Sequence, residues 1–191
     1  LLSAGAIVAC AAPIGWGDEP QAPGDDRPWL QKTLKIGMIR VQGDLTAKFK
    51  AAKQAGFDGV ELNTPGINVP EAKKAAAESG LIIDGTVGGY HWGVRHSDPD
   101  PEVRAKALKN LKAGLAETAA VGADTMLLVP GHGKDGSEAE VYERSMASIR
   151  EALPDAEKHG VSILIENVWN HFLYDHEGGS DQTGDKLAQY I

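Results

Sequence analysis

The carboxylate with the clearest chemical setting in this sequence is Glu166, which directly follows the apolar run Ile163–Ile165. An ionised carboxylate at the end of a buried strand is costly to leave alone, so it should meet a cation, a metal ion or a polar group of a substrate. The alternatives on the sequence alone are an exposed strand-end glutamate and a partner for a helix dipole. Glu166 is therefore the first candidate for a catalytic and metal-binding side chain.

Four other residues have the types and positions expected of substrate contacts. His91 and Trp92 follow one apolar run, His132 is flanked by glycines after the next run, and Trp169 comes shortly after Glu166. Flanking glycines let a ligand approach the backbone closely, and an indole ring can form the wall of a polyol site. The alternatives are plain turns for the histidines and ordinary packing for Trp169.

Other chemical sites have less support in the sequence. Asp175, His176 and Glu177 are of metal-ligating types, but three consecutive side chains rarely converge on one ion, so we predict a solvated loop. No Gly-x-Ser-x-Gly turn is present to carry a serine nucleophile. The single cysteine, Cys10, cannot form an internal disulfide and lies in the N-terminal leader described below.

The segments that must position these residues alternate between short apolar runs and helical patterns, with no hairpin turn between strands. The predicted strands are Lys35–Ile39, Gly59–Asn63, Leu81–Val87, Thr125–Val129 and Val161–Ile165. The predicted helix starts are Asp44, Pro70, Asp100 and Ser137, the last in a capping box with Glu140, and the helix ends are Gly56, Gly80, Gly122 and Gly160. This alternation predicts βαβ units and a parallel sheet.

Two α/β folds fit that pattern, a Rossmann-like sheet and a (β/α)8 TIM barrel. Gly37-Met-Ile-Arg follows the start of the first strand where a dinucleotide site would need Gly-x-Gly-x-x-Gly, so the barrel is favoured. A complete barrel needs about 250 residues. We therefore expect an incomplete TIM barrel with about five βα units, and no activity from these residues by themselves.

Composition limits the function classes. With 191 residues, 42% hydrophobic and 24% charged, the chain suits one globular domain. Its net charge of -8 offers no electrostatic footprint for a nucleic-acid backbone. We expect a small-molecule ligand and no nucleic acid or membrane span, with a homo-oligomer as an open alternative.

The N-terminal part differs in composition from the rest. Residues 1–17 are apolar, rich in small residues and too short to span a bilayer, as in an export signal. Residues 18–34 form a linker rich in Pro, Gly and Asp, and residues 35–191 form the partial barrel. We expect export, to the periplasm. Because Ile7–Cys10 resembles a lipobox, a lipid anchor on Cys10 is an alternative, and a buried N-terminal helix is another.

Several motifs, in their order and spacing, resemble the xylose isomerase-like TIM barrels, a family of sugar phosphate isomerases and epimerases. The motifs are Ala55–Leu62, Tyr90–Gly93 with Ser97–Val103, Gly122–Asp124 before Val129–Gly131, and Ile165–Asn170. The resemblance implies a divalent metal, Mn²⁺ or Mg²⁺, on the glutamate that ends strand five, here Glu166. The family's further ligands, an aspartate, a histidine and a glutamate from strands six to eight, have no counterparts up to Ile191.

The same resemblance implies a reaction. A metal would stabilise an ene-diolate of a sugar or sugar phosphate while paired carboxylates remove and return a carbon-bound proton. Isomerase and epimerase both remain open, because Asn170–Asp175 differs from the acidic substrate contact of ketose epimerases. Two alternatives are an endonuclease IV-like zinc nuclease using His91, His132 and Glu166, and a non-catalytic exported carbohydrate-binding barrel.

Overall fold

The structure is a computed structural model that describes residues 30–175, 177–179 and 183–191. The predicted leader with Cys10, most of the predicted linker, and His176 lie outside these residues. Export, leader removal and lipid attachment therefore stay predictions. No helix within the described ranges combines the length and the apolar character that a bilayer crossing requires.

Five parallel strands form one sheet in the described part of the chain, and each strand pairs with the next one in sequence. They are β1 (Thr33–Lys35), β2 (Gly59–Thr64), β3 (Ile82–Gly88), β4 (Thr125–Leu128) and β5 (Ser162–Ile165). A Rossmann-like sheet reverses its strand order beside the first strand, whereas consecutive order is that of a TIM barrel. The strand order confirms the predicted incomplete barrel.

The helices lie between the strands and follow the predicted capping signals. They are α1 (Leu45–Gln54), α2 (Val69–Ser79), α3 (Pro101–Val121), α4 (Glu138–His159) and α5 (Asp185–Tyr190), with 3-10 turns at Ile36–Met38 and Gly133–Asp135. The Asp44 carboxylate accepts from the Ala47 N–H, and Ser137 and Glu140 make both bonds of the capping box. Gly122 ends α3 with a φ of 92°, where a side chain would be strained.

The first strand begins and ends earlier than predicted. Lys35–Ile39 was expected to be extended, but β1 ends at Lys35 and a 3-10 turn follows. Asp58 fixes this register, because its carboxylate accepts from the Lys32 N–H at 2.9 Å and its own N–H donates to the Lys32 carbonyl at 2.8 Å. These bonds pair the chain with β2 before the apolar run begins, so the run itself is not the strand.

The two faces of the sheet have different environments. One face packs against the helices in two apolar clusters, whose buried strand residues are Val60, Leu62 and Ile83 in the first and Met126 and Leu128 in the second. Side chains alternate along a strand, so the opposite, inner face carries Lys35, Glu61 and Leu164. Leu164 is 44% exposed there. The inner face ends at the carboxyl ends of the strands, where barrel enzymes hold their sites.

Candidate functional site

Glu166 lies at the carboxyl end of β5, on the inner face of the sheet. Its backbone N–H donates to the carbonyl oxygen of Leu128, at the end of β4, at 2.9 Å. Ile163 and Ile165 pack against the helix-side cluster. Because side chains alternate along a strand, Leu164 and Glu166 both face the inner side of the sheet. Its side chain is partly buried. The structure thus puts this carboxylate where a barrel site is expected.

His91 is held close to the same point by the neighbouring strand. It lies in the loop after β3, is 3% exposed, and its Nδ1 accepts from the Val129 N–H at 3.2 Å. Burial, together with the charge of Lys35, lowers the pKa of His91 to about 4. The Leu128 carbonyl and the Val129 N–H belong to one peptide group. The Glu166 backbone N–H and the His91 ring are therefore hydrogen-bonded to opposite sides of that group.

Trp92 and Trp169 form an aromatic wall beside His91. Their rings stack with centroids 5.5 Å apart and planes 13° apart, and the His91 ring meets Trp92 edge-on at 4.9 Å. Trp92 is 48% exposed and Trp169 65% exposed. The structure therefore brings three predicted contact residues together and leaves both indole rings accessible among the described residues.

His132 has different neighbours from the other predicted site residues. Its backbone N–H donates to the Ser97 Oγ at 3.1 Å, and its Nδ1 accepts from the Lys134 N–H at 3.1 Å. Burial, followed by the charge of Lys134, lowers its pKa. His132 caps the 3-10 turn Gly133–Asp135, so this histidine has a local structural role at the carboxyl end of β4.

A buried ion pair beneath His132 has no signal in the sequence pattern. The Arg95 Nε and Nη2 donate to the two carboxylate oxygens of Asp135, each at 2.7 Å, and the Ser97 Oγ donates to Asp135 at 2.6 Å. Only 2% of the Asp135 side chain is exposed. Burial raises the pKa of Asp135, but the hydrogen bonds from Arg95 and Ser97 outweigh it, so the pKa is lowered. The pair joins the loops after β3 and β4.

Asn170 joins the loops after β4 and β5 in a similar way. Its buried side chain donates to the Gly131 carbonyl, and its own carbonyl accepts from the Gly133 N–H at 2.8 Å. A Cβ on Gly133 would overlap the backbone of His171. Asn170 lies in a motif shared with the family that the sequence resembles, and its role here is to fix the loop that follows Glu166.

The inner face below the site carries further charged groups. Lys35 and Glu61 approach to 3.8 Å between Nζ and Oε2. Burial raises the pKa of Glu61, Lys35 lowers it, and the carboxylates of Asp84 and Glu166 raise it further. Glu61 thus lies within electrostatic reach of Glu166, a relation that residue spacing alone did not reveal.

The described residues do not by themselves fit a divalent metal. No three His, Cys, Asp or Glu side chains among them lie close enough to hold one ion together. Asp175 and Glu177 are exposed, as predicted for a loop. Within the described ranges Glu166 is thus one carboxylate ligand and not a complete site.

The hydrogen bonds of the two predicted site histidines do not suit zinc. A histidine that binds zinc through one ring nitrogen normally donates a hydrogen bond from the other. Nδ1 of His91 and Nδ1 of His132 both accept from backbone N–H groups. In the neutral ring the proton is then on Nε2, which makes that atom a donor and not a ligand.

Comparison with models of known protein families identifies the family of this chain. Residues 49–191 match the family described as xylose isomerase-like TIM barrel. The chain belongs to that family. A search of curated proteins gave no match.

Solved structures of the xylose isomerase-like fold resemble the chain at low identity. A 3-keto-D-glucoside 4-epimerase from E. coli has 23% identity and a TM-score of 0.65 over 73% of this chain and 57% of its own. A D-allulose 3-epimerase from Methylomonas sp., in complex with D-allulose, has 19% identity and a TM-score of 0.62 over 84% and 57%. An AP endonuclease, family 2, from Brucella melitensis has 17% identity and a TM-score of 0.60 over 73% and 56%.

These likenesses show the fold, and the solved structures that share it include two sugar epimerases and an AP endonuclease. The chain spans little more than half the length of these structures. The likenesses therefore leave the substrate and the activity of the whole protein to be proposed.

Two buried histidines make the stability of this family member sensitive to acid. His96 is fully buried, with its Nε2 on the Tyr90 hydroxyl at 2.9 Å and its Nδ1 on the Ser148 Oγ at 2.7 Å. Burial is the main cause that lowers the pKa of His96, like that of His91, to about 4 from an ordinary value of 6.5. Between these two pH values the unfolded chain binds protons that the folded chain does not.

The histidine contribution to the free energy of unfolding is therefore expected to fall as the pH drops from about 6.5 to about 4, and this contribution then levels off. The loss is about 3 kcal/mol for each histidine. Urea denaturation of the complete protein at half-unit pH steps measures it. His96→Gln should reduce the number of protons taken up on unfolding by one. A profile that is flat across this window would show that neither histidine is held neutral by burial.

Proposed function

We propose that this chain provides part of the active site of a sugar or sugar phosphate isomerase or epimerase, in which Glu166 moves a carbon-bound proton. One observation carries the proposal. The Glu166 backbone N–H and the His91 ring are hydrogen-bonded to the two sides of one peptide group at the carboxyl ends of the strands. The stacked rings of Trp92 and Trp169 lie beside them. This arrangement supports a site in which a base, a polar donor and an apolar surface lie around the ends of neighbouring strands.

Each group has a separate part in the proposed reaction. The Glu166 carboxylate takes the proton from the carbon next to the sugar carbonyl. Return of that proton to the neighbouring carbon, with the hydroxyl proton moving to the carbonyl oxygen, gives an isomer, whereas an epimer requires the second carboxylate of the pair to protonate the same carbon on its opposite face. The indole rings of Trp92 and Trp169 cover the apolar face of the sugar.

The activity is proposed for the complete protein, because the chain spans only 57% of the length of the solved epimerases named above. The Mn²⁺ or Mg²⁺ that the family resemblance implies stays a prediction; Glu166 would be one of its ligands, and the ion would supply stabilisation of negative charge on the substrate. No further described residue supplies a ligand set for it.

The test is exchange of carbon-bound hydrogen with solvent. The complete protein is incubated in D₂O with ketoses, ketose phosphates and hydroxypyruvate, with Mn²⁺, Mg²⁺ or EDTA. We expect the proton next to the carbonyl of at least one compound to disappear from the NMR spectrum, and EDTA to stop the loss. No exchange with any compound would contradict the proposal and favour a non-catalytic carbohydrate-binding barrel.

The nuclease alternative is disfavoured by the hydrogen bonds of His91 and His132 and by the net charge of -8. Cleavage of DNA that contains an abasic site, measured on the same preparation with Zn²⁺, gives a direct comparison. We expect no cleavage above that of buffer with zinc alone.

A further inference from the structure

The bonding of His91 determines which of its ring nitrogens carries the proton. A backbone N–H can only donate, so Nδ1 of His91, which lies 3.2 Å from the Val129 N, accepts with its lone pair. The neutral ring then holds its hydrogen on Nε2. Among the described residues, no group accepts a hydrogen bond from that Nε2–H, and Nε2 is not fully enclosed, since the buried side-chain polar atom without a partner there is Asp84 Oδ1.

The position of this donor is set relative to Glu166. The Glu166 N is 2.9 Å from the Leu128 carbonyl oxygen, and the same peptide group supplies the Val129 N–H. With standard peptide dimensions, the His91 Nδ1 and the Glu166 N lie within about 9 Å of each other. His91 and Glu166 therefore flank the end of β4 on its two sides, and a pentose or hexose over that strand end has the size to contact both side chains.

We propose that His91 determines substrate specificity as a fixed neutral donor, whose Nε2–H binds one oxygen of the sugar while Glu166 transfers the proton. That the ligand of His91 is a sugar rests on the proposed function. The edge-on contact of His91 with Trp92, at 4.9 Å, holds the ring in one orientation. His91 then selects sugars that present an oxygen acceptor at this point.

Other roles for His91 conflict with the structure. A metal ligand at Nε2 would leave a hydrogen on Nδ1 facing the Val129 N–H, so two donors would meet. A proton shuttle would need a pKa near neutrality, whereas burial holds the pKa of His91 at about 4. A donor that keeps its hydrogen throughout the reaction agrees with both observations.

Two substitutions distinguish the proposed Nε2–H donor of His91 from the structural hydrogen bond that its Nδ1 accepts from the Val129 N–H. In His91→Asn the amide oxygen lies near the place of Nδ1 and can still accept from the Val129 N–H, but nothing replaces the Nε2–H. In His91→Gln the amide lies near the place of Nε2 and can still donate, but the bond to Val129 is lost. A purely structural histidine would be harmed more by glutamine, and a sugar-binding donor would be harmed more by asparagine.

The experiment measures sugar affinity by calorimetry on the complete protein, with D-fructose, D-allulose and D-ribulose and with their deoxy analogues. We expect His91→Asn to weaken binding by about 10- to 100-fold, the loss for one hydrogen bond, and His91→Gln to weaken it by less than about 3-fold. The deoxy analogue that lacks the bonded oxygen should bind the wild type and His91→Asn equally.

In parallel, nitrogen NMR should show the Nε2–H form of His91 from pH 5 to pH 8.

The outcomes distinguish this inference from the proposed function. If His91→Asn binds every sugar as the wild type does, or if His91 gains a proton near pH 6.5, the inference is overturned whatever the enzyme does. If sugar binding depends on His91 but no carbon-bound hydrogen exchanges, the proposed function fails and the inference stands. If carbon-bound hydrogen exchanges but no sugar affinity depends on His91, the proposed function stands and the inference fails.

Discussion

Replacement of Glu166 by glutamine is expected to lower the turnover of the complete protein by at least about 1,000-fold. Glutamine keeps the volume of the side chain and one carbonyl oxygen, but it removes the group that accepts the carbon-bound proton. A general base contributes about 100- to 10,000-fold, and loss of the charge that a metal ion would pair with adds several kcal/mol to the barrier. The rate of solvent deuterium exchange measures the effect.

Packing should survive this substitution, because the Glu166 side chain is only partly buried and its backbone bond to Leu128 does not involve the carboxylate. The matched control is Glu157→Gln, the same change on the exposed surface of α4. Both variants should melt within a few degrees of the wild type. A Glu166→Gln variant that exchanges hydrogen at a near-normal rate would falsify the role assigned to this carboxylate.

The sequence predicted the parts of the fold that depend on local chemistry. The Asp44 cap, the Ser137–Glu140 box and the ends of α2, α3 and α4 at glycine each depend on a few adjacent residues, and the structure confirms them. The limits of β1 were wrong because they depend on Asp58, far away in sequence, which pairs the chain so that the strand begins two residues earlier than predicted. Non-local hydrogen bonds leave no periodic signal.

The site shows the same division. Strand-end positions were enough to single out Glu166, His91, Trp92 and Trp169, and the structure brings the last three into contact. The bonds that hold their loops were not predictable, since Arg95 and Asp135 lie 40 positions apart and belong to no recognisable motif. The proton position on His91 was equally hidden, because it depends on a backbone N–H of the next strand.

Removal of the Asp135 carboxylate should have the largest effect on stability of any single change near the site. Asp135→Ala would leave the Arg95 guanidinium, whose side chain is only 16% exposed, without its bidentate partner. Breaking one side of a buried ion pair typically costs about 3 to 5 kcal/mol. We expect about 3 kcal/mol, since Asp98 still accepts from Arg95 at 2.8 Å. Urea denaturation at pH 7 measures the change.

Two variants separate the buried pair from other effects of the substitution. Asp98→Ala removes the more exposed partner of Arg95, so it should cost less than about 1.5 kcal/mol. Arg95→Leu combined with Asp135→Leu removes both charges and should recover part of the stability lost in Asp135→Ala, because no unpaired charge is left in the interior. Loss of the pair should also free the Ser97 hydroxyl, which links Asp135 to the His132 N–H. Equal losses in Asp135→Ala and Asp98→Ala would mean that Arg95 is solvated in solution and that its pair with Asp135 does not hold the loops after β3 and β4 together.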